Sequence, residues 1–357
     1  MFLSTFQRCF NDVCTKKNSY IRPHRMKAWS AAFSSSTAIQ SRALFIDTDA
    51  GYDDILAISN LLNTGQNIPF ISTVGGIQSC THRSAHFLQR VYPDAQVFPG
   101  RSQTFRGDTP KWLLEIRHGL NDIMNSVGIV DVTVKSPKSH HHESVSQIAE
   151  LLKKYPDQGV DLMCLGPLSN IASWSEDDEV FRLIQSKIHQ IWIMGGNIPG
   201  FDDAEFNFAQ DPTAVATVLK NDILRDKIVI LPAQTCQKYS PASTEWNKLM
   251  ENGMEGSGIM SKVLNATSSW DDLKYDPLCA FSYAKPHCVS YSQMNVKVNE
   301  ITGLLLPSTD ADDWNLSLKI IFDIPIDAPD EDGLLNWLRL AIDSDEGCIS
   351  SQTNSKK

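Results

Sequence analysis

The chain has 357 residues, of which 42% are hydrophobic and 21% are charged, and its formal net charge at pH 7 is -10. This length suits one large α/β domain or two small ones, and the negative charge does not favour binding to nucleic acid. No apolar run reaches the roughly 18 residues that a membrane-spanning helix needs, so we expect no membrane partner.

The eight cysteines include no CxxC pair, which argues against a zinc site or a thioredoxin-type redox site. Cys164 and Cys279 lie in apolar runs. Cysteines in such surroundings are typically buried free thiols in a reducing compartment. The sequence therefore predicts no disulfide framework.

The two ends of the chain differ from the rest. Residues 1–42 contain seven basic residues and a single acid, Asp12, and they are rich in serine. This composition is typical of a transit peptide, which would direct the protein to mitochondria or another organelle. The alternatives are a disordered tail or a start at Met26, with a cytoplasmic protein. Residues 346–357 are interpreted as a disordered C-terminal tail.

Hydrophobic periodicity predicts a β-α-β-α-β alternation at the start of the folded region. An apolar run at residues 43–46 ends at an acidic cluster and reads as a buried strand, and a helical pattern follows the cluster. The next predicted elements are a strand at 69–74, a helix at 79–91 and a strand at 95–98. Such alternation is the signature of a parallel sheet with helices on its faces.

The alternation resumes after an irregular stretch predicted at residues 100–142, which holds His140–His142 as a surface segment. The later predicted elements are a helix at 144–155, a strand at 160–165, a helix opening at 170–174, a strand at 188–194, a helix at 211–219 and a strand at 227–231. We therefore predict one doubly wound α/β domain over residues 43–345 with a mainly parallel sheet. In such folds the active site lies at the carboxyl ends of the strands.

Four carboxylates occur within eight residues, at Asp47, Asp49, Asp53 and Asp54. Packed at the end of a strand, they would repel one another unless a cation neutralised them. Oxygen ligands suit Ca²⁺ or Mg²⁺ rather than zinc or copper, and Gly51 permits a tight turn that folds the carboxylates towards one point.

Three other interpretations compete for this cluster. An EF-hand needs Glu at the twelfth loop position, which is Ile58 when counted from Asp47. An aspartyl phosphatase of the haloacid dehalogenase type has Thr or Val where this chain has Gly51. A plain helix cap would need one acid near the helix dipole, not four.

Five motifs in order resemble those of the inosine-uridine nucleoside N-ribohydrolases, over about residues 43–340. The first, Asp47–Asp54, resembles the family's DxDxGxDD signature. The others are Leu165–Asn170, similar to [TL]GPLTN; Met194–Gly196, similar to MGG; Ala204–Ala214, similar to AEFNxxxDPxAA; and Tyr275–Ala280, similar to [HWY]DPxxA.

The resemblance implies a metal site and a reaction. It implies one Ca²⁺ held by the carboxylates of Asp49, Asp54 and Asp276 and by the backbone carbonyl of Leu165. It also implies hydrolysis of the N-glycosidic bond of a ribonucleoside by a calcium-activated water, from which Asp49 takes a proton. The products are ribose and a free base, and the protein would be a homo-oligomer, either a dimer or a tetramer.

The resemblance also implies the residues that bind the nucleoside. Asp53, Glu205 and Asn207 would bind the hydroxyls of the ribose, and Met194 would pack beside it.

The sequence departs from the family pattern at two places. Tyr275 stands where the best-known members have His, and it would stack on the base or donate a hydrogen bond to it as a weaker acid. Gly75-Gly76-Ile77 replaces a Gly-Asn pair, so Gln78 is the candidate substitute for the ribose-binding Asn. In the short segment between Met194 and Glu205, Asn197 is the candidate for a further sugar-binding Asn that the resemblance implies. The base preference is therefore left open, and a calcium-dependent riboside-binding protein with impaired catalysis is the alternative function.

Overall fold

The computed structural model describes residues 42–106, 111–126, 141–239, 244–255, 258–267, 273–308, 316–324 and 333–343. Apart from Arg42, the predicted transit segment and the predicted C-terminal tail lie outside these ranges, as do the side chains of His140–His142. The targeting role of the first segment, the tail and the homo-oligomer all stay predictions.

The described residues form one mixed sheet of nine strands in the order β3-β2-β1-β4-β5-β6-β9-β7-β8. Strands β1 to β6 and β9 pair in parallel, whereas β7 is antiparallel to both β9 and β8. The strands are β1 Ala43–Thr48, β2 Phe70–Thr73, β3 Gln96–Pro99, β4 Val160–Cys164, β5 Ile188–Met194, β6 Ile228–Leu231, β7 Ser290–Val298, β8 Leu305–Pro307 and β9 Leu316–Asp323.

Helices connect and cover these strands. In chain order they are α1 Tyr52–Asn63, α2 Thr81–Val91, α3 Lys111–Ser126, α4 His141–Leu152, α5 Ser169–Glu176, α6 Asp178–Lys187, α7 Phe206–Gln210, α8 Pro212–Lys220, α9 Asp222–Arg225, α10 Ala233–Gln237, α11 Thr244–Met254, α12 Ile259–Ala266, α13 Tyr275–Ala284 and α14 Leu334–Asp343. A short 3₁₀ helix covers Pro286–Cys288. Within the described ranges, none of these helices combines the length and apolar character needed to span a bilayer.

The central strands β1, β2, β4 and β6 are buried on both faces, as in a doubly wound fold. Every residue of β1 is buried, and its successive side chains belong to two different apolar clusters. Leu44 and Ile46 pack in one cluster with Met163, whereas Phe45 packs in the other with Leu162. Because successive side chains of a strand point to opposite faces, these clusters are the two helix-covered layers, and the predicted α/β fold class is confirmed.

The helix α3 corrects the prediction that residues 100–142 are irregular. Gly119 lowers the helix propensity of this segment, and a charged residue, Arg117, occupies a buried position on it. An amphipathic pattern normally has an apolar residue at such a position. The remaining predicted strands and helices are present within a few residues of their expected bounds, and β7, β8 and β9 are additional to them.

The predicted free thiols are confirmed for the five described cysteines. Cys164, Cys236, Cys279 and Cys288 are buried and Cys80 is partly buried, and none of these five forms a disulfide.

Candidate active site

The loop between β1 and α1 carries the acidic cluster at the carboxyl edge of the sheet, as predicted. The Thr48 hydroxyl donates a hydrogen bond to the Asp54 carboxylate, and the Gly51 N–H donates to Asp54 Oδ2 at 2.9 Å. Asp54 lies in the first turn of α1, where the partial positive charge of the helix N-terminus stabilises a carboxylate. These contacts hold Asp54 in one orientation.

A second helix brings the distant Asp276 to the same point. Helix α13 packs against α1 and carries Asp276 in its own first turn. Carboxylate oxygens of Asp53, Asp54 and Asp276 all lie within 4.8 Å of one another. Three converging carboxylates form the oxygen-rich donor set that Ca²⁺ and Mg²⁺ prefer.

Electrostatics at this cluster also fits a cation. Burial, together with repulsion from Asp49, raises the pKa of Asp53 to about 7. Burial and the neighbouring carboxylates raise the pKa of Asp54 and of Asp276 well above the usual range. A bound divalent cation would reverse these shifts, because it favours the ionised form of each carboxylate. The residues present therefore suit a metal ion.

Asp49 lies next to this cluster and is held by the segment that follows β2. Its Oδ2 accepts a hydrogen bond of 2.8 Å from the Ile77 N–H. A Cβ atom built on Gly76 would lie 1.9 Å from Asp49 Oδ2, so only glycine fits there.

The predicted ligand set and the observed cluster differ in one member. The three converging carboxylates include Asp53, which the resemblance assigned to the ribose, in place of Asp49. Asp49 still raises the pKa of Asp53, Asp54 and Asp276 through its charge, so it lies in their immediate surroundings. Its roles as a metal ligand and as a base stay predictions.

Three further predicted residues meet where β4 and β5 end. The Asn207 Nδ2 donates to the Leu165 carbonyl at 3.3 Å and to the Met194 carbonyl at 3.2 Å. It also lies 3.8 Å from the Met194 sulfur. The Leu165 carbonyl retains a second lone pair, which is the group that the resemblance assigns to the metal.

Glu205 holds the start of α7 through three backbone donors. Its Oε1 accepts from the Asn207 N–H at 2.8 Å, and its Oε2 accepts from the Gly196 and Phe208 N–H groups at 3.1 Å each. Burial raises its pKa to about 7, and repulsion from Asp49 adds to the shift. Glu205 therefore positions Asn207 and lies within electrostatic reach of Asp49.

The two candidate amides have different surroundings. Asn197 is fully buried; its Nδ2 donates to the Leu305 carbonyl at 2.9 Å, and its Oδ1 accepts from the Leu305 N–H at 2.8 Å. This pairing favours a structural role for Asn197 rather than the predicted substrate contact. Gln78 is 2% exposed, and its Nε2 has no hydrogen-bond partner within the described residues, so it remains a candidate for binding a substrate oxygen.

Asn197→Ala is expected to lower the free energy of unfolding by about 1–3 kcal/mol, because two backbone groups of Leu305 lose their buried partner. The same variant is expected to change KM for a nucleoside by less than about threefold. Denaturant unfolding and steady-state kinetics measure these two effects. A large rise in KM with unchanged stability would restore the substrate-binding role.

Tyr275 is the first residue of α13 and precedes Asp276 directly. Its side chain is partly buried, and the Lys274 ammonium lies 5.6 Å from the centre of its ring. The fold thus places an aromatic side chain next to the carboxylate cluster. Its action on a leaving base stays a prediction.

Two buried residues at the site have contacts that the sequence did not predict: Asp47, which belongs to the acidic cluster, and Arg117. Asp47 lies behind the cluster, where it accepts hydrogen bonds from Ser72 at 2.5 Å and from Asn170 at 2.7 Å, and burial raises its pKa to about 7. Arg117 is buried beside Gly75 and Gly76. No sequence signal indicated Arg117, because residues 100–142 were predicted to be irregular and its burial is seen only in the structure.

Comparison with known proteins decides the family. The model of the inosine-uridine preferring nucleoside hydrolase family matches residues 44–327. The chain belongs to this family. The resemblance drawn from the five motifs is thereby confirmed.

Curated relatives in the family are distant. An uncharacterized protein of Schizosaccharomyces pombe is 26% identical over 216 residues, which cover 58% of this chain and 62% of that protein. A probable uridine nucleosidase 2 of Arabidopsis thaliana is 27% identical over 162 residues, which cover 43% of this chain and 47% of that protein. The chain thus spans less than two thirds of either curated relative.

The fold is also that of solved members of the family. A plant nucleoside hydrolase superposes with a TM-score of 0.66 at 20% identity, covering 85% of this chain and 99% of that structure. At this level of identity the likeness establishes the fold.

Proposed function

We propose that this protein hydrolyses the N-glycosidic bond of a ribonucleoside to ribose and a free base, with Ca²⁺ as its cofactor. The observation that carries the proposal is the convergence of three carboxylates at the carboxyl edge of the sheet, in a chain that matches the family over most of its length. The match also favours this chemistry over that of an aspartyl phosphatase, for which the acidic cluster was the main argument.

Calcium would be held by Asp49, Asp54 and Asp276 and by the Leu165 carbonyl, with Asp53 beside them. When bound, it supplies a positive charge that keeps buried carboxylates ionised and makes water and hydroxyl groups more acidic. Burial and mutual repulsion raise the pKa of Asp54 and of Asp276 well above the usual range, and a bound cation would relieve this repulsion, which supports the assignment.

The ribose would lie between helix α1 and helix α7 of the site. Asp53 on α1 and Asn207 on α7 offer carboxylate and amide groups to its hydroxyls, with Gln78 as a third candidate. Met194 offers an apolar contact, and Glu205 orients Asn207 through its backbone.

The hydrolysis requires one group that activates the water at the sugar and another that acts on the leaving base. Asp49 accepts a proton from the water that attacks the anomeric carbon. The nearby carboxylates stabilise the positive charge that develops on the sugar in an oxocarbenium-like transition state. Tyr275 stacks on the leaving base or donates a hydrogen bond to it, and a tyrosine, with an ordinary pKa of about 10, is a weak acid for this task.

A ribose-release assay tests the proposal. Inosine, guanosine, adenosine, uridine and cytidine are incubated with the protein in the presence of calcium or of an excess of EGTA. We expect reducing sugar to appear with at least one nucleoside and to disappear with the chelator. Calcium-dependent release would also reveal the base preference. Release that is unaffected by the chelator would contradict the cofactor assignment.

A riboside-binding protein with impaired catalysis is the second candidate, and Tyr275 in place of the usual His is the observation that favours it. This candidate predicts that ribosides raise Tm in the presence of calcium while no ribose is released over hours. Substitution Tyr275→His would then be expected to create or increase ribose release. A thermal-shift assay run beside the ribose assay separates the two functions.

A further inference from the structure

Arg117 is a buried cation whose guanidinium donates to the carbonyls of Gly75 and Gly76 and, at 3.3 Å, to Gln210 Oε1. It is 5% exposed, although the next residues on α3, His118 and Gly119, are exposed. Its Nε donates to the Gly76 carbonyl at 2.6 Å, and its Nη2 donates to the Gly75 carbonyl at 2.8 Å. Burying a guanidinium costs free energy unless its donors are satisfied, so these hydrogen bonds are needed to keep Arg117 buried.

The segment held by Arg117 is the one that holds Asp49. The peptide unit between Gly76 and Ile77 is planar. Its carbonyl accepts from Arg117, while its N–H donates to Asp49 Oδ2 at 2.8 Å. One peptide plane therefore links the guanidinium to the carboxylate. A charged donor at the carbonyl end also polarises the peptide and strengthens the hydrogen bond at its N–H end.

The close packing of Gly76 makes this link rigid. Because a Cβ on Gly76 would lie 1.9 Å from Asp49 Oδ2, the Gly76 backbone lies directly against the carboxylate and has little room to move towards it. The hydrogen bonds to Arg117 prevent it from moving away.

We infer that Arg117 is a positioning residue that orients Asp49 for calcium binding and proton transfer through the Gly76–Ile77 peptide. This role rests on the proposed calcium-dependent function. Arg117, Gly75 and Gly76 lie outside the five family motifs, and they act on Asp49, which lies in the first of them.

The geometry needs an arginine and not merely a positive charge. A guanidinium presents donors in a fixed planar fork that reaches two carbonyls at once, whereas a lysine is a flexible point charge. Arg117→Lys therefore tests geometry with the charge kept, and Arg117→Ala leaves a cavity that free guanidinium can enter.

Calcium affinity and steady-state kinetics at saturating calcium are the measurements. In both variants we expect calcium to bind about 10- to 100-fold more weakly and kcat to fall by a similar factor, as is usual for residues that orient metal ligands. KM should change by less than about threefold, because the guanidinium is directed at Gly75, Gly76 and Gln210 and not at the proposed ribose-binding residues. Guanidinium chloride at millimolar concentration should partly restore Arg117→Ala and leave Arg117→Lys unchanged.

Arg101→Lys is the matched control. The Arg101 guanidinium also donates to two backbone carbonyls, those of Thr104 and Phe105, at 3.0 and 3.1 Å, which belong to a different segment. The Arg101 carbonyl accepts from the Gly75 N–H at 2.7 Å, and the substitution keeps this backbone contact. The control is expected to lose stability in denaturant unfolding while it keeps the calcium affinity of the wild type. An equal loss of affinity in Arg101→Lys would overturn the positioning role, since the effect would then be one of general stability.

The remaining outcomes separate this role from the proposed function. Folded Arg117 variants with the calcium affinity and kcat of the wild type would overturn the role of Arg117 and leave the function intact. If Arg117→Ala does not fold, Arg117→Lys alone decides. If the wild type binds calcium without releasing ribose, the proposed hydrolysis fails. The calcium affinities of the Arg117 variants then still test the role of Arg117. A wild type that neither binds calcium nor releases ribose would overturn both the proposed function and the role of Arg117.

Discussion

Asp49→Asn is expected to reduce kcat for ribose release by about 10³-fold, within the range found when a positioned general base is removed. The amide has nearly the same size as the carboxylate, and its oxygen can still accept the hydrogen bond from the Ile77 N–H. It cannot take a proton from water, and it carries no charge to bind calcium. The loss would therefore come from chemistry and not from a collapsed loop.

The control for this variant is Asp161→Asn. Asp161 is also a buried carboxylate, but it lies near the start of β4 and binds His189 and the Gln190 N–H. The amino and carboxyl ends of a strand lie at opposite edges of a parallel sheet, so Asp161 is remote from the site. We expect Asp161→Asn to keep kcat within about threefold. Wild-type activity in Asp49→Asn would show that another residue activates the water.

Without calcium, the protein is expected to have a lower free energy of unfolding at pH 8 than at pH 5. Burial raises the pKa of Glu205 from an ordinary value of 4.5 to about 7. A carboxyl whose pKa is raised on folding contributes stability that is complete below its unfolded pKa and is lost as the pH rises through its folded pKa. For Glu205 alone, this loss amounts to about 3 kcal/mol. Asp53, with a pKa of about 7, shifts stability in the same direction.

Calcium should reverse this dependence, because it binds ionised carboxylates and competes with protons for them. The increase in Tm that calcium causes should therefore be larger at pH 8 than at pH 5. Thermal unfolding at pH 5, 6, 7 and 8, with calcium or with EGTA, measures both trends. Asp54→Asn is expected to abolish most of the calcium-dependent increase. A metal-free protein whose Tm rises from pH 5 to pH 8 would contradict the shifts on which this expectation rests.

The sequence predicts well those parts of the site that are local in the chain. Strand β1, the acidic loop after it and the helix α1 form from consecutive residues, so hydrophobic period and the Gly51 turn are sufficient to place Asp49 and Asp54 at a strand end. Asp276 lies far along the chain, and periodicity gives no reason to bring it there. It was found through the resemblance of its motif, and the packing of α13 against α1 shows its place.

Residue roles that depend on long-range hydrogen bonds were harder to predict. Asn197 follows a strand end and so looks like a ligand-binding amide, yet β8 supplies backbone partners that occupy it. Arg117 interrupts the apolar pattern of α3, so hydrophobic periodicity alone does not predict this helix. Its burial is stable only because two carbonyls from a much earlier segment meet its guanidinium.

By itself, then, the sequence determined the alternation of strands and helices, the edge of the sheet that carries the acids and the family to which the chain belongs. These follow from side-chain period and from motifs, which are properties of neighbouring residues. Only the tertiary structure decided that Asp53 joins Asp54 and Asp276, that Gly76 has no room for a side chain and that Arg117 faces inward. Those features depend on distances between segments remote in the chain, and such distances are set by packing rather than by any local preference.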